Sequence, residues 1–534
     1  MFDLVIKNGI VIDGTFAPSF QADIGIRNGI IIQIGAISSN SGHNSINAKN
    51  LVISPGFIDV HSHSDFSLLI NPKAESKVRQ GVTTEVIGNC GFSAAPISEK
   101  GKEEYEKTLS ILEGYGIDWD WYTMKEYLER LERLGIAINV VPLIGHSNIR
   151  ASVLGFENRK PSSKEMQEMK SMVAQAMMDG AFGLSSGLIY PPGCYGDTKE
   201  LIELCKIVTR FGGIYTSHIR GESDTLFNAI NEAIRIGEVA HIPVEISHLK
   251  LEGETNWGKA EELLNIINDA RKKGIDISGD VYPYTAGSFK LSAMLPPWVS
   301  EKGIKNLIKN LQSLDIRRRI KTEMIEGRVD WSSPFKVVGW DKTIVSYCKK
   351  LENKEFEGKT IAEIAKARLQ DPFDFVFGLL IDEEAKVMVI RFSMHEQDVR
   401  VIIKSKDIMI GSDGRSIAPY GISSSGKPHP RFYGTFPRVL KKYVKEDKIL
   451  TMEEAIRKMT SLPAKKFDLK NRGTIKPGAY ADIVIFDPNQ IEDKATFLNP
   501  HQYPKGVEYV IVNGDLVIEQ TEHTGNLAGT VLRK

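Results

Sequence analysis

The sequence lacks the features that would tie it to nucleic acid or to a membrane. Its 68 basic and 68 acidic residues cancel to a formal net charge of zero, which removes the electrostatic case for binding nucleic acid or anionic lipid. No uncharged apolar run reaches the roughly 18 residues that a membrane span requires. We therefore expect no nucleic-acid partner and no membrane partner, and a small-molecule substrate instead.

Cysteine is also scarce. Four cysteines in 534 residues are too few for a disulfide framework, so we expect free thiols in a reducing compartment. The amino-terminal stretch MFDLVIKNG has an acid at its third position and no apolar core of the kind found in secretory signals. The expected location is the cytoplasm.

Two histidines stand one residue apart at the end of an apolar run, in SPGFIDVHSHSD at residues 54–65. In a strand, His61 and His63 would point to the same face. Neutral imidazole nitrogens suit zinc or a related ion, and the end of a strand holds them rigidly. A turn with two exposed histidines is the alternative. The motif therefore supports a metal site only if later strands place further ligand-type residues beside it.

The two ends of the chain have the same β-rich texture. Short runs such as DLVIKNGIVID and ADIGIRNGIIIQIG are broken by Asn-Gly pairs, which favour tight hairpins. Residues 473–487 and 507–519 are similar. We expect a small β-sandwich domain formed by residues 1–54 and 470–534, with the middle of the chain inserted into it. Two unrelated β-caps are the alternative.

Between the two ends, strand-like runs alternate with helical patterns, which is typical of β/α units around a parallel sheet. The strand candidates end within residues 60–63, 83–91, 138–147, 181–190, 213–222, 244–250, 276–284 and 407–414. Eight such units predict an α/β fold, a (β/α)8 TIM-like barrel over residues 55–469 with its chemistry at the carboxyl ends of the strands. Three or four separate domains are the alternative.

One connection is too long for a simple β/α unit. Residues from about 286 to 345 separate the seventh strand candidate from the next helical units and include LPPW and a basic run. A segment of this length over a barrel mouth predicts a lid-like insertion.

Ligand-type side chains collect at the predicted strand ends. The residues are His61 and His63 after the first strand, Cys90 after the second, His218 after the fifth, His248 after the sixth and Asp413 after the eighth. A lone buried histidine is usually a hydrogen-bonded core residue, but so many ligand types at one rim predict a metal site.

This arrangement resembles the amidohydrolase superfamily, which has an HxH after strand one, single histidines after strands five and six, and an aspartate after strand eight. The superfamily's usual bridging lysine after strand four is missing from GLSSGLIYPPG here. Instead, GNCGFSAAP around Cys90, together with SHLK, YPYTAGS, GSDG and HPRFYGTFPRVL, resembles the D-aminoacylase branch, the N-acyl-D-amino-acid deacylases. In that branch a cysteine takes the ligand role, and the resemblance runs nearly end to end.

The resemblance implies a zinc enzyme. The tightly bound Zn²⁺ would be held by Cys90, His218 and His248. A second, weaker or optional site would be surrounded by His61, His63 and Asp413. A metal of this kind lowers the pKa of a bound water and polarises the scissile carbonyl.

The implied reaction is hydrolysis of an N-acyl-D-amino acid to a carboxylic acid and the free D-amino acid. Asp413 is the expected general base, taking a proton from the metal-activated water and passing it to the leaving amine. The substrate carboxylate requires cationic donors. Lys250 lies two residues past His248 and Arg431 offers a planar fork. By resemblance, Tyr190, Tyr282 and Ser288 join them as substrate contacts.

Other functions fit parts of the pattern. A cyclic-amide hydrolase of the hydantoinase or dihydroorotase type would share the barrel and the HxH, but it predicts the bridging lysine that this sequence lacks. These motifs do not distinguish a D-dipeptidase from an N-acyl-D-amino-acid deacylase. A non-catalytic barrel acting as a scaffold would tolerate missing ligands, whereas all six ligand positions are filled here.

Overall fold

The fold is that of a computed structural model, which describes residues 1–38, 41–107, 116–328 and 331–534. The remaining positions lie outside the described residues; they fall inside the ranges expected for the first β segment, the barrel and the insertion.

The strands run throughout the chain. They are β1 (Phe2–Val11), β2 (Phe20–Arg27), β3 (Ile30–Gly35), β4 (Gly42–Asn47), β5 (Val52–Pro55), β6 (Phe57–Asp59), β7 (Val82–Ile87), β8 (Asn139–Pro142), β9 (Ile144–Gly145), β10 (Gly183–Gly187), β11 (Ile214–His218), β12 (Val244–Ile246), β13 (Ile277–Val281), β14 (Ala286–Lys290), β15 (Thr343–Tyr347), β16 (Met388–Phe392), β17 (Ile408–Ile410), β18 (Ile483–Phe486), β19 (Val507–Val512), β20 (Asp515–Glu519) and β21 (Glu522–His523).

Helices connect most of the parallel strands. They are α1 (Ser67–Ile70), α2 (Glu75–Val78), α3 (Glu99–Glu106), α4 (Met124–Leu134), α5 (His146–Val153), α6 (Ser163–Met178), α7 (Thr198–Thr209), α8 (Leu226–Ala240), α9 (Ala260–Lys272), α10 (Ile304–Gln312), α11 (Leu314–Glu326), α12 (Pro334–Val338), α13 (Ile361–Ala367), α14 (Pro372–Asp382), α15 (Glu396–Lys404), α16 (Arg431–Arg438), α17 (Met452–Met459) and α18 (Ser461–Lys466). Among the described residues, no helix combines the length and the apolar character needed to cross a membrane.

The central strands pair in parallel, and neighbouring strands follow the order of the sequence. Across the described residues, β6, β7 and β8 form one set, and β9, β10, β11, β12, β13 and β17 form another, in which β9 follows directly on β8. A parallel bridge between Ser62 and Gly414 links the ends of β6 and β17. The pairings and this bridge place the parallel strands side by side and bring their carboxyl ends to one rim.

The residues of these strands explain their position. Every residue of β7 and of β13 is buried, as in parallel sheets that are covered on both faces. The helices between them begin at clear sequence signals. At α6, for example, the Ser162 side chain accepts from the Glu165 backbone N–H and the Glu165 side chain reaches back, which completes a capping box.

The two chain termini meet in one antiparallel-rich sheet. In the described residues it has nine strands, ordered β21-β20-β19-β18-β5-β1-β2-β3 with β4 beside β1. The sequence predicted a small β-sandwich formed by both termini, and hydrogen bonding joins the strands of the two termini continuously. β5 makes the connection, because it pairs with β1 on one side and with β18 on the other. On that side β1 pairs first with β4 and then, from Ile10 onward, with β5.

The insertion is a separate layer with its own core. Its sheet is antiparallel, ordered β14-β16-β15, and a cluster of buried side chains that includes Leu291, Phe377 and Val389 packs against it. This layer spans residues 286–392, which is longer than the range of about 286–345 expected from the sequence. Hydrogen bonds from Tyr195 Oη to the Pro297 carbonyl (2.8 Å) and from the Lys302 N–H to the Phe156 carbonyl (2.9 Å) join it to the strand-end loops.

Candidate metal centre

The six predicted ligands lie at the carboxyl ends of the parallel strands. His61 and His63 directly follow β6, Cys90 follows β7, His218 ends β11, His248 follows β12 and Asp413 follows β17. Among the described residues, two groups of three have donor atoms that all lie within 4.8 Å of one another, His61–His63–Cys90 and Cys90–His218–His248. The structure thus brings together residues that are far apart in sequence.

Cys90, His218 and His248 form a buried trio. The Cys90 Sγ is 3.4 Å from His248 Nε2, and that nitrogen is 3.0 Å from His218 Nδ1. A sulfur and two imidazole nitrogens converging in this way are a donor set that suits zinc. The residues present therefore fit a metal ion of this kind.

The second group adjoins the trio and shares Cys90. His61 Nε2 is 3.3 Å from the Cys90 Sγ and 3.8 Å from Asp413 Oδ1, while His63 Nε2 is 3.1 Å from the same oxygen. The other ring nitrogen of His61, Nδ1, lies 3.2 Å from Asp280 Oδ2. An outer carboxylate of this type orients a ligating histidine.

Three of the six residues have left-handed backbone conformations that side chains rarely adopt. The φ angles are 52° at Cys90, 38° at His248 and 49° at Asp413. Such conformations persist where the surroundings over-determine them, and they cluster at functional sites. The backbone around Cys90 is also closely packed. A side chain at Gly187 would not fit, because its Cβ would lie only 2.0 Å from the Cys90 carbonyl oxygen.

The surroundings of the Cys90 sulfur favour its thiolate form. Burial by itself would raise the pKa of the thiol, but positive charge on His61 and His248 outweighs burial and holds the pKa well below its ordinary value. Conversely, burial lowers the pKa of His61, while the Cys90 thiolate and Asp280 raise it well above its ordinary value. The thiolate is the form that binds a metal.

Asp413 lies between two positive partners. Its Oδ2 is 3.0 Å from Arg431 Nη1, and its Oδ1 accepts from His63. Burial raises the pKa of the Asp413 carboxyl, yet the charge of Arg431 and the bond from His63 outweigh it and leave the pKa well below its usual range. Asp413 is therefore ionised at neutral pH and able to accept a proton.

The predicted substrate residues line a cavity of about 780 Å³ beside these ligands. The site residues on its wall are His63, Cys90, Tyr190, His218, His248, Lys250, Tyr282, Ser288, Asp413 and Arg431. His61 is not among the lining residues and is fully buried. The rest of the wall includes Trp298, Ile304 and Arg391 of the insertion layer, which therefore covers the rim.

Two of these residues are positioned by an aromatic ring. The ring of Tyr282 lies 5.6 Å from Lys250 Nζ and 4.9 Å from the Arg431 guanidinium carbon. Arg431 Nη1 faces Asp413 Oδ2 at 3.0 Å, whereas its buried Nε has no hydrogen-bond acceptor among the described residues. A guanidinium with a free donor at a cavity wall suits a carboxylate ligand.

Sequence reasoning missed two acidic residues of the site. Glu222 lies 2.6 Å from Lys250 Nζ and 3.1 Å from His248 Nδ1, and Asp280 contacts His61. Both stand at predicted strand ends, within SHIRGE and SGDVYPY. Their position at the same rim as the histidines was the available signal.

The family model described as the amidohydrolase family matches residues 44–191 and 341–518. A D-aminoacylase from Alcaligenes xylosoxydans xylosoxydans is 34% identical over 533 residues, which is 100% of this chain and 98% of that protein. The chain belongs to the amidohydrolase family, in its N-acyl-D-amino-acid deacylase branch. The resemblance drawn from the sequence is thereby confirmed.

Solved structures agree with this placement in the amidohydrolase family. A D-aminoacylase described as having a binuclear metal centre has a TM-score of 0.84 and 35% identity, with full coverage of both chains. An N-acyl-D-glutamate deacylase from Bordetella bronchiseptica, complexed with zinc and a phosphonate inhibitor, has a TM-score of 0.83 and 32% identity, again with full coverage. The α/β fold is thus that of a TIM-like barrel with an additional domain.

Proposed function

We propose that this amidohydrolase cleaves the amide bond of N-acyl-D-amino acids to give a carboxylic acid and a free D-amino acid. The observation that carries the proposal is the Cys90–His218–His248 trio at the wall of a cavity that also presents Lys250 and Arg431. The relatives that match end to end are named for this reaction. Neither the cyclic-amide hydrolase, the D-dipeptidase nor the scaffold alternative has comparable support.

The ion that the trio would hold is proposed to be zinc. Cys90, His218 and His248 would bind it tightly, and His61, His63 and Asp413 would surround a second, weaker site. When bound, such an ion supplies a Lewis acid that acidifies water and polarises the amide carbonyl. The parallel strands that present these residues are proposed to form a closed (β/α)8 barrel.

Asp413 is the proposed general base. Its ionised carboxylate takes one proton from the attacking water as the water oxygen bonds to the carbonyl carbon. The C–N bond then breaks, and the proton passes from Asp413 to the leaving nitrogen. No residue of the chain is acylated in this scheme, since the water oxygen ends in the carboxylic acid product.

The substrate carboxylate is proposed to bind at the cavity wall formed by Lys250 and Arg431, beside the trio. Arg431 supplies a planar guanidinium whose Nε is unpaired, and Lys250 supplies an ammonium. Tyr282 packs against both cations and, with Tyr190 and Ser288, completes the proposed contacts. This anchoring would set the distance between the amide carbonyl and Asp413, because the carboxylate and the amide are joined through one carbon.

A substrate panel tests this function. N-acetyl-D-methionine and its L enantiomer are assayed with the full chain after treatment with a chelator and again after zinc is restored. We expect zinc-dependent hydrolysis of the D substrate with little turnover of the L form. Equal turnover with and without zinc, or cleavage of cyclic amides in preference to linear ones, would refute the proposal.

A further inference from the structure

The cavity beside the trio has a charged half and an uncharged half. Each lysine, arginine, aspartate and glutamate on its wall stands at position 220 or later in the chain. Among the described residues, those that line it from 92–195, which follow β7, β9 and β10, are all uncharged. Those from 297–307 of the insertion layer are uncharged as well. The two halves therefore offer different environments to a bound molecule.

The trio stands at the boundary between these halves. Cys90 is two residues before Phe92, which lines the uncharged half. His248 is two residues before Lys250, which lines the charged half. The Cys90 Sγ and His248 Nε2 are only 3.4 Å apart. A molecule bound at the trio can therefore extend into both halves of the cavity.

A row of aromatic rings leads away from the trio in the uncharged half. The ring centroids of Phe92 and Tyr105 are 4.9 Å apart, and those of Tyr105 and Phe156 are 5.7 Å apart. The insertion layer adjoins the far end of the row, where the Lys302 N–H donates to the Phe156 carbonyl at 2.9 Å. We call this surface the apolar arm, and its residues are Phe92, Tyr105, Phe156, Trp298 and Ile304.

The cavity is larger than the simplest substrate of the proposed reaction requires. Its volume of about 780 Å³ lies within the roughly 300–1,000 Å³ of pockets that bind drug-sized ligands, and an N-acetylated amino acid is smaller than such ligands. An apolar wall contributes to binding only when it covers apolar surface of the ligand. An acetyl group presents a single methyl, so the apolar arm suits a longer hydrocarbon chain.

The connectivity of the substrate determines which of its groups reaches the apolar arm. The carboxylate and the side chain of an N-acyl amino acid leave the same carbon, on the amine side of the scissile bond. The acyl chain leaves the carbonyl carbon on the other side of that bond. With the carboxylate at Lys250 and Arg431, the side chain stays near the charged half, and the acyl chain crosses the trio into the uncharged half.

We propose that the apolar arm binds the acyl chain of the substrate, so that the preferred substrates are D-amino acids with a medium-chain aliphatic acyl group rather than an acetyl group. This rests on the proposed function. Water cleaves the same amide bond, and the products are the medium-chain carboxylic acid and the free D-amino acid. Each methylene buried against the apolar arm is worth about 4-fold in kcat/KM.

The test compares two substrate series with the zinc-loaded full chain. The first keeps D-methionine and lengthens the acyl group from acetyl through butyryl to hexanoyl. We expect kcat/KM to be about 10-fold to 100-fold higher for the hexanoyl than for the acetyl substrate. The second series keeps the acetyl group and lengthens the side chain from D-alanine to D-norleucine, and we expect a smaller rise for each added methylene.

A Phe156→Ala variant tests the apolar arm itself. The measured quantity is the ratio of kcat/KM for the hexanoyl substrate to that for the acetyl substrate on one preparation, so any loss of folded protein cancels. Phe156 ends the aromatic row, and we expect its removal to lower this ratio by about 10-fold.

Phe289→Ala is the matched control for this variant. Phe289 lines the same cavity beside Ser288, and its ring centroid lies 4.9 Å from the guanidinium carbon of Arg391 in the charged half. The same truncation there should leave the ratio close to that of the wild type.

The outcomes separate the two proposals. If no N-acyl-D-amino acid of any chain length is cleaved, the proposed function fails, and the assignment of the apolar arm fails with it. If the acetyl substrate is cleaved and the hexanoyl substrate is cleaved no better, the assignment is overturned while the proposed function stands. A steeper rise with side-chain length than with acyl length, or equal falls of the ratio in Phe156→Ala and Phe289→Ala, would also overturn it.

Discussion

At the scale of single residues, the site depends on opposite charges that are buried together. Asp413 is 9% exposed and lies between His63 and Arg431, so its carboxylate is ionised although it is shielded from water. The same partners that stabilise the charge also aim its oxygens at the cavity. Asp413 can therefore serve as a base without being one of the three donors of the trio.

An Asp413→Asn variant separates these roles. The amide keeps the shape but accepts a proton poorly, so we expect kcat to fall by about 10²-fold to 10⁴-fold, while zinc remains bound to Cys90, His218 and His248. Turnover and zinc content are measured on the same preparation. Near-normal kcat would remove Asp413 from the reaction, and loss of all zinc would place it among the tight ligands.

The sequence predicted some of these residues better than others. His61, His63 and Cys90 stand in motifs with metal-ligand character, so the pattern identified them. Glu222 and Asp280 stand at predicted strand ends but in no such motif; acidic residues are common there, and only the distance to a histidine distinguishes these two. That distance depends on pairing between strands and cannot be read from local spacing.

At the scale of elements, the strand ends are joined below the site by a buried ion cluster. Lys77 of α2 is fully buried and lies 2.6 Å from Asp59 of β6 and 3.0 Å from Glu85 of β7. Asp59 also accepts a hydrogen bond of 2.8 Å from the backbone N–H of Ser412, a residue that lies just after β17. The cluster thus ties together the strands that carry His61, Cys90 and Asp413.

A Lys77→Met variant tests this cluster. It leaves Asp59 and Glu85 buried without a counter-charge, and breaking a buried pair in this way costs about 3–5 kcal/mol of unfolding free energy. Urea denaturation followed by circular dichroism measures the change. Lys125→Met is the control, since Lys125 is an exposed helix residue 3.9 Å from its partner Glu129 and should change stability by less than about 0.5 kcal/mol. Similar effects of the two substitutions would contradict this role.

The helix α17 is attached to β17 through another buried lysine. Lys458 Nζ donates to the Ile408 carbonyl at 2.7 Å and to the Ser405 carbonyl. Burial lowers the pKa of Lys458 from its ordinary value of 10.5 to about 7, whereas in the unfolded chain the lysine keeps the ordinary pKa. Between these two values the unfolded state binds the additional proton, so stability rises with pH across this window.

Comparison with a Lys458→Met variant isolates this dependence. The difference in unfolding free energy between the wild type and the variant should change with pH. From pH 7 to pH 9, we expect the wild type to become more stable relative to the variant by up to about 1.4 kcal/mol per pH unit. Urea denaturation at several pH values provides the measurement. Parallel stability curves for the two proteins would show that Lys458 keeps its proton in the folded state.

The insertion contains a strand, β16, that the sequence alone could not assign to it. Its sheet requires β16, whose sequence MVIRF is a short apolar run like those of the central strands. Periodicity cannot separate such a run from a barrel strand. Only the antiparallel pairing with β14 and β15 assigns it to the insertion, which is why the layer extends beyond the expected boundary.

At the scale of the whole molecule, the alternation of strands and helices was enough to predict the parallel α/β organisation. Eight predicted strand ends correspond to the positions that pair from β6 to β17. The association of both termini was predictable from their shared β texture, but the continuity of the sheet was not, because it depends on the pairing of β5 with both β1 and β18. The predicted metal ligands converge because the strand order places them at one rim.

X-ray absorption at the zinc K edge tests the central claim most directly, on the full chain loaded with one equivalent of zinc. The account predicts one sulfur neighbour at about 2.3 Å and imidazole nitrogens at about 2.0–2.1 Å. It also predicts loss of the sulfur in Cys90→Ala but not in Cys205→Ala, where the buried core thiol lies away from the site. A zinc spectrum without sulfur in the wild type, or one unchanged in Cys90→Ala, would contradict it.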